Sequence, residues 1–110
     1  MILSNKISVV IATLGGVQLQ DTINSINTNT IIPFEILICI PIQESYNITF
    51  QLPDNVKICI SETRGQVVQR LFGFSLARGE FIMQMDDDLV LESNTIELLL
   101  NSLISLPKNS

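Results

Sequence analysis

The sequence lacks histidine and tryptophan and is poor in basic residues. Without an imidazole, a histidine general base and the common histidine zinc sites are excluded. Six lysines and arginines stand against eleven aspartates and glutamates, a net charge of −5. This balance disfavours a nucleic-acid groove or an anionic membrane surface as the main partner, since both require basic patches. We therefore predict no nucleic-acid partner.

Long apolar runs, glycine, proline and cysteine are also scarce. No run of about 18 apolar residues is present to form a transmembrane segment, and the apolar residues 7–14 lack a signal-peptide cleavage pattern. We therefore expect a cytoplasmic protein, with peripheral contact at the inner membrane face left open. Cys39 and Cys59 each lie in an apolar, strand-like segment without metal-ligand spacing, which predicts two buried thiols.

The remaining composition is that of one folded domain. The chain has 110 residues, enough for a single core and too few for two. Hydrophobic residues make up 46% of the chain and charged residues 15%, which excludes intrinsic disorder. We therefore predict one domain over residues 1–110.

Hydrophobic periodicity predicts alternating strands and helices. Predicted strands cover residues 7–12, 35–40, 56–60 and 81–85. Predicted helices cover residues 18–27, a segment that starts after Ser61 or Thr63 and ends before Gly79, and a segment that ends at Pro107. The order strand, helix, strand, strand, helix, strand, helix predicts an α/β fold whose mostly parallel sheet has helices on both faces.

Two further features of the pattern carry expectations about packing. The second helix has one apolar stripe of the kind that faces a core, made of Val67, Val68, Leu71, Phe72 and Ser75. The polar region at residues 43–55 is the best candidate for a mobile loop.

Three consecutive carboxylates follow the fourth predicted strand. Residues 81–85 are apolar apart from Gln84, so we expect a strand buried on both faces of the sheet. Ligands of open α/β sheets bind at the carboxyl ends of the strands, which places the three carboxylates at a binding crevice. Alternation along an extended chain turns Asp86 and Asp88 to one side and Asp87 to the other.

The spacing of Asp86 and Asp88 suits a divalent cation. Two carboxylates about 5 Å apart repel by roughly 3 kcal/mol at an effective dielectric of about 20, and a bound cation offsets that cost. Mg²⁺ or Mn²⁺ prefers such oxygen ligands, and Mg²⁺ typically also binds substrate phosphates. A solvated acidic loop at the start of the next helix would carry the same charges.

Several segments share the spacing of one known family. They are residues 8–13 (SVVIAT), the helix pattern from residue 19 to 26, the pair Arg64 and Gly65, residues 77–82 (ARGEFI), and the acids at 86–88. Over roughly residues 7–105, the chain resembles the nucleotide-binding half of a family-2 glycosyltransferase with the Rossmann-like GT-A fold. The resemblance implies a nucleotide-diphospho-sugar donor and an unknown glycan or lipid-linked acceptor.

The resemblance also implies a donor site. The residues that would bind the nucleotide-sugar are Thr13, Gly15, Gly16, Arg70, Asp86 and Asp87. Asp86 and Asp88 would hold Mg²⁺ or Mn²⁺, and a metal on the diphosphate stabilises the leaving group electrostatically. A tight turn explains Gly15 and Gly16 equally well, and a surface position explains Arg70 equally well.

The chain departs from the family pattern at positions that would contact the nucleotide, and it offers no clear general base for catalysis. Ile40 and Pro41 stand where members commonly carry acids that contact the nucleotide base, and Leu71 replaces a frequent asparagine. Glu92 and Glu97 have no evident route to an acceptor hydroxyl, so the catalytic base stays unknown.

Three functions remain open at this point. The first is glycosyl transfer, and the second is a non-catalytic nucleotide-sugar-binding or partner module that lacks the acceptor half. The third, a phosphoacceptor signalling domain, fits poorly, because residues 13–16 lack the expected acids. Apolar surface exposed in a truncated chain would favour self-association.

Overall fold

A computed structural model describes residues 2–104 of the chain, and the side chains of residues 7–103. The strands are β1 (Ile2–Ala12), β2 (Ile31–Pro41), β3 (Val56–Ser61) and β4 (Phe81–Met85). The helices are α1 (Leu19–Asn27), α2 (Gln66–Leu76) and α3 (Thr95–Ile104), and a 3₁₀-helix covers Ile42–Asn47. The predicted element order is confirmed.

All strand pairs of the sheet are parallel, and the spatial order is β3-β2-β1-β4. Because parallel strands require crossover connections, the chain passes through α1 between the neighbours β1 and β2. It then passes through α2 between β3 and β4, which lie at opposite ends of the strand order. The α/β fold with a parallel sheet is therefore confirmed. β1 and β2 also begin earlier than predicted, since Ile2 pairs with Ile31 at the far end of the sheet.

Helices cover both faces of the sheet because neighbouring strand residues point to opposite sides. On one face, Val9 and Ile11 of β1 pack in a core with α1 and α3, which contribute Ile23 and Ile96. On the other face, Val10 packs with side chains of β2 and β3, and α2 adds the partly buried Phe74. None of the helices between residues 2 and 104 combines the length and the hydropathy of a membrane span.

The orientation predicted for α2 is wrong. The predicted stripe is exposed to solvent, whereas the buried residues of the helix are Gln69 and Gly73. Close packing at Gly73 explains this, because a Cβ there would lie 2.6 Å from both the Cys39 Sγ and the Val10 Cγ1 atoms. The helix also begins after Gly65, without the side-chain cap expected from Ser61 or Thr63.

The expected burial of β4 on both faces is also wrong. Among the described residues β4 pairs with β1 alone, so it is an edge strand and Ile82 is 46% exposed. An apolar run predicts a strand, but the position of that strand in the sheet depends on topology. β4 nevertheless ends at Met85, as expected, directly before the three acids.

Candidate functional site

The candidate site lies where the carboxyl ends of β1 and β4 meet the start of α2. Because these strands are parallel, the segments that follow them emerge at the same edge of the sheet. A cavity of about 500 Å³ opens there. Its lining residues are Ala12, Thr13, Leu14, Gly16, Arg64, Gly65, Gln66, Gln69 and Asp87.

Thr13 connects the end of β1 to the acidic segment. Its hydroxyl donates to the Asp87 Oδ2 atom at 2.6 Å, and the same oxygen accepts the Gly15 N–H at 2.9 Å. The Thr22 hydroxyl of α1 donates to the backbone carbonyl of Asp87 at 3.0 Å. Both the side chain and the backbone of Asp87 are therefore held by hydrogen bonds.

β4 ends at Met85, and the three carboxylates follow it in a turn. The alternation of an extended strand therefore does not set their directions. Asp87 lines the cavity, whereas Asp86 does not and its side chain is 62% exposed. The Asp86 Oδ1 atom lies 3.4 Å from the Arg70 Nη2 atom. Asp88 is exposed in the same turn.

Arg70 is only partly satisfied by this ion pair. Its contact with Asp86 is long, and within residues 2–104 its buried Nε atom has no hydrogen-bond partner. Arg70 is close to the acidic turn but does not line the cavity. Of the predicted donor residues, Thr13, Gly16 and Asp87 therefore share the cavity, while Arg70 and Asp86 form a pair beside it.

The turn after β1 is shaped by Gly15 and the 3₁₀-helix. Gly15 has a φ of +81°, and a Cβ there would lie 2.5 Å from the Asn47 Cβ atom. The Asn47 amide donates to the Leu14 carbonyl at 2.8 Å. Residues 43–47, the first part of the region expected to be a mobile loop, thus belong to a 3₁₀-helix that contacts the rim of the cavity through Asn47.

Arg64 is a cavity residue that the predicted site omitted. Its Nη2 atom lies 3.1 Å from the Glu44 Oε1 atom, and its side chain is largely exposed. The sequence did contain a signal for Arg64 as a site residue, because Arg64 and Gly65 are one of the segments that resemble the family. The cavity therefore contains one guanidinium group and one carboxylate, that of Asp87, among its lining residues.

Gln69 is the second omitted residue, and it is 2% exposed. Its amide contacts Thr13, Cys39 and Gly65. Its position among the apolar residues of α2 provided no signal, since two of its three partners, Thr13 and Cys39, come from distant parts of the chain.

The predicted metal site consists of two exposed acids, Asp86 and Asp88. Among the residues that the structure describes, no group of three His, Cys, Asp or Glu side chains could hold a metal ion. A cation at Asp86 and Asp88 would thus need further oxygen ligands from a substrate or water, as Mg²⁺ commonly has.

A second cavity, of about 270 Å³, lies between β4 and α3. Its lining is apolar apart from Ser102 and contains no ionisable side chain. Polar chemistry is therefore concentrated in the first cavity.

Comparison with known proteins gives matches of two kinds, one to a family model and one to solved structures. The model of the family described as Glycosyl transferase family 2 matches residues 8–109. A crystal structure of TarS from S. aureus matches with a TM-score of 0.67 and 21% identity, over 90% of this chain and 19% of that one. At this identity the likeness shows the fold, and this chain spans about one fifth of the TarS chain. No curated protein matches the chain.

Proposed function

Because the chain belongs to glycosyl transferase family 2 and has the α/β GT-A fold, we propose that its cavity binds a nucleotide-diphospho-sugar donor for glycosyl transfer. The observation that supports this most directly is the meeting of Thr13, Arg64 and Asp87 in one open cavity at the carboxyl ends of parallel strands. That position is the usual ligand site of open α/β sheets. A volume of about 500 Å³ is also in the range of small-molecule sites.

The charges of the site suit a diphosphate. Arg64 provides an exposed guanidinium at the cavity, and guanidinium groups bind phosphate oxygens through paired N–H donors. A phosphate group would compete with Glu44 for Arg64. Asp87, which Thr13 holds in place, is available to accept hydrogen bonds from the hydroxyl groups of a bound nucleotide-sugar.

The exposed acids fit a divalent cation by their chemistry. Asp86 and Asp88 offer hard carboxylate oxygens in an exposed turn, and Asp86 makes a long contact of 3.4 Å to Arg70. We propose that these two residues hold Mg²⁺ or Mn²⁺ together with phosphate oxygens of the donor. Bound there, the cation would supply electrostatic stabilisation of the diphosphate leaving group.

The residues of this chain account for donor binding better than for acceptor activation. The one carboxylate in the lining of the donor cavity, Asp87, already accepts a hydrogen bond from Thr13. This favours a role in orienting the donor over a role as general base. The second candidate function is therefore a nucleotide-sugar-binding module that does not itself transfer the sugar.

Calorimetric titration tests donor binding. Uridine, guanosine and thymidine diphosphates are titrated into the chain with Mg²⁺ or Mn²⁺, and we expect metal-dependent binding of at least one. Arg64→Ala is expected to weaken it about tenfold through loss of a charge-assisted hydrogen bond. Arg78→Ala is the matched control, because Arg78 is an exposed arginine outside the cavity lining.

Absence of binding with every nucleotide and both metals would contradict the proposal. Equal weakening by Arg64→Ala and Arg78→Ala would contradict the assignment of the cavity. Release of nucleoside diphosphate from a sugar-nucleotide only when a glycan or lipid-linked acceptor is added would favour transfer. Donor binding without turnover would favour the binding module.

A further inference from the structure

We propose that Gln69 is a positioning residue of the donor cavity, the cavity of about 500 Å³ proposed above to bind the nucleotide-sugar. Its side chain holds the start of α2 against the ends of β1 and β2. This inference rests on the proposed function, because it concerns the geometry of the same cavity. Gln69 lines the cavity but is almost completely buried, so its amide faces protein groups that surround the site.

The polar groups of the Gln69 side chain are engaged by the protein. Its Nε2 atom donates to the Thr13 carbonyl at 3.0 Å and to the Cys39 carbonyl at 2.7 Å. Its Oε1 atom accepts the Gly65 N–H at 3.2 Å. A primary amide has two N–H groups, and both are used here. The Gln69 amide therefore has no N–H group left to donate to a ligand. Gln69 therefore acts through the residues it holds.

The three partners of Gln69 belong to three different parts of the cavity wall. Thr13 follows β1 and carries the hydroxyl that holds Asp87. Cys39 lies in β2, and its carbonyl also accepts the Thr13 N–H at 3.0 Å. Gly65 precedes α2 and adjoins Arg64, the proposed phosphate ligand. One amide thus sets the position of Arg64 relative to Thr13.

The residue type at this position follows from the contacts. A glutamate would keep the acceptor for Gly65 but would present negative charge to two carbonyl oxygens. A leucine would remove the donor to the Thr13 carbonyl and the acceptor of the Gly65 N–H, while the Cys39 carbonyl would keep the Thr13 N–H. Gly73, one helical turn later, allows α2 to approach the sheet closely enough for the Gln69 amide to reach both strand ends.

Two variants and two readouts test this role. Gln69→Leu is expected to speed hydrogen exchange at the Gly65 amide about tenfold while the Val10 amide in β1 is unchanged. The same variant is expected to weaken binding of uridine diphosphate with Mn²⁺ about tenfold, or of whichever nucleotide the wild type binds. Gln20→Leu, on the exposed side of α1, is the matched control and is expected to change neither quantity.

Gln69→Glu adds a second readout, the pH dependence of nucleotide binding, which a purely structural role of Gln69 would not change. Protonation of the new carboxyl restores one donor, so nucleotide binding by this variant should improve from about pH 8 to about pH 6 relative to the wild type. It also replaces Gln69→Leu if that variant does not fold.

The outcomes separate the two proposals. A wild-type chain that binds no nucleotide overturns the proposed function, and hydrogen exchange at Gly65 then decides whether Gln69 locks α2. A wild-type chain that binds, with equal affinity in both Gln69 variants and no pH response in Gln69→Glu, overturns the role of Gln69 alone.

Discussion

The Thr13 hydroxyl donates a hydrogen bond of 2.6 Å to the Asp87 carboxylate, across 74 positions of sequence. This contact joins the turn after β1 to the turn after β4. Because the Gly15 N–H donates to the same hydroxyl oxygen, Thr13 also orders its own turn. Two segments of the proposed donor site are thus connected by one side chain.

Thr13→Val is expected to weaken this connection. Valine keeps the shape of threonine but leaves the partly buried Gly15 N–H and the Asp87 carboxylate without this partner, so we expect a loss of about 1–2 kcal/mol in the free energy of unfolding. Urea denaturation measures the loss. Thr13→Ser retains the hydroxyl and is the control. Equal stability of the Val variant and the wild type would contradict the prediction.

Glu35 predicts a dependence of stability on pH. Burial alone would raise the pKa of Glu35, but hydrogen bonds from the Arg78 N–H, the Ser8 hydroxyl and the Lys57 ammonium lower it below the ordinary value of 4.5. The folded state thus favours the charged form. Its contribution to stability is complete above about pH 4.5 and is lost as the pH falls through the folded pKa.

Glu35→Gln should remove that part of the pH dependence. We expect the variant to be less stable at neutral pH by about 1–3 kcal/mol, and the difference from the wild type to shrink as the pH falls through the lowered pKa of Glu35. Urea denaturation across acidic pH measures it. Lys57→Met should cost less, because Lys57 is 50% exposed. A constant difference at all pH values would contradict the assignment.

Gly73→Ala is expected to destabilise the fold by about 1–3 kcal/mol, because the added methyl group overlaps the Cys39 and Val10 side chains. Gly16→Ala is the matched control, since a Cβ at Gly16 meets no atom within 4 Å. Thermal denaturation compares the two. The prediction fails if both variants melt at the wild-type temperature.

The two thiols are expected to differ in reactivity. Cys39 and Cys59 are register partners on β2 and β3. The neighbouring Cys39 thiol lowers the pKa of the Cys59 thiol, while interaction with Cys59 and burial raise the pKa of Cys39. Iodoacetamide should therefore modify Cys59 first, as measured by peptide mass spectrometry. Faster modification of Cys39 would refute this order.

The exposed stripe of α2 predicts self-association. Val67, Val68 and Leu71 are 47–67% exposed on one side of the helix, next to Phe72. We expect the apparent mass in analytical ultracentrifugation to rise with concentration and Leu71→Glu to reduce the rise. Val17→Glu, at an isolated exposed residue, is the control. A mass that stays monomeric at every concentration would rule the prediction out.

The candidate site could be predicted in position but not in composition. Thr13, Gly16 and Asp87 were expected near the donor, and they line one cavity. Their roles in binding stay predictions, as do those of Gly15, Arg70 and Asp86 and the metal site at Asp86 and Asp88. Which acid faces the cavity depends on the turn after Met85, whose shape is set by hydrogen bonds from Thr13 and Thr22. Those partners are more than sixty residues away.

The sequence by itself determined the α/β class, the order of the elements and the edge of the sheet at which the polar cavity opens. These features follow from local periodicity and from the parallel connections that alternating strands and helices require. Tertiary structure decided that α2 buries Gln69 and Gly73 and exposes its apolar stripe, and that β4 lies at an edge. The reason is that close approach to Cys39 and hydrogen bonds to strand-end carbonyls depend on residues that only folding brings together.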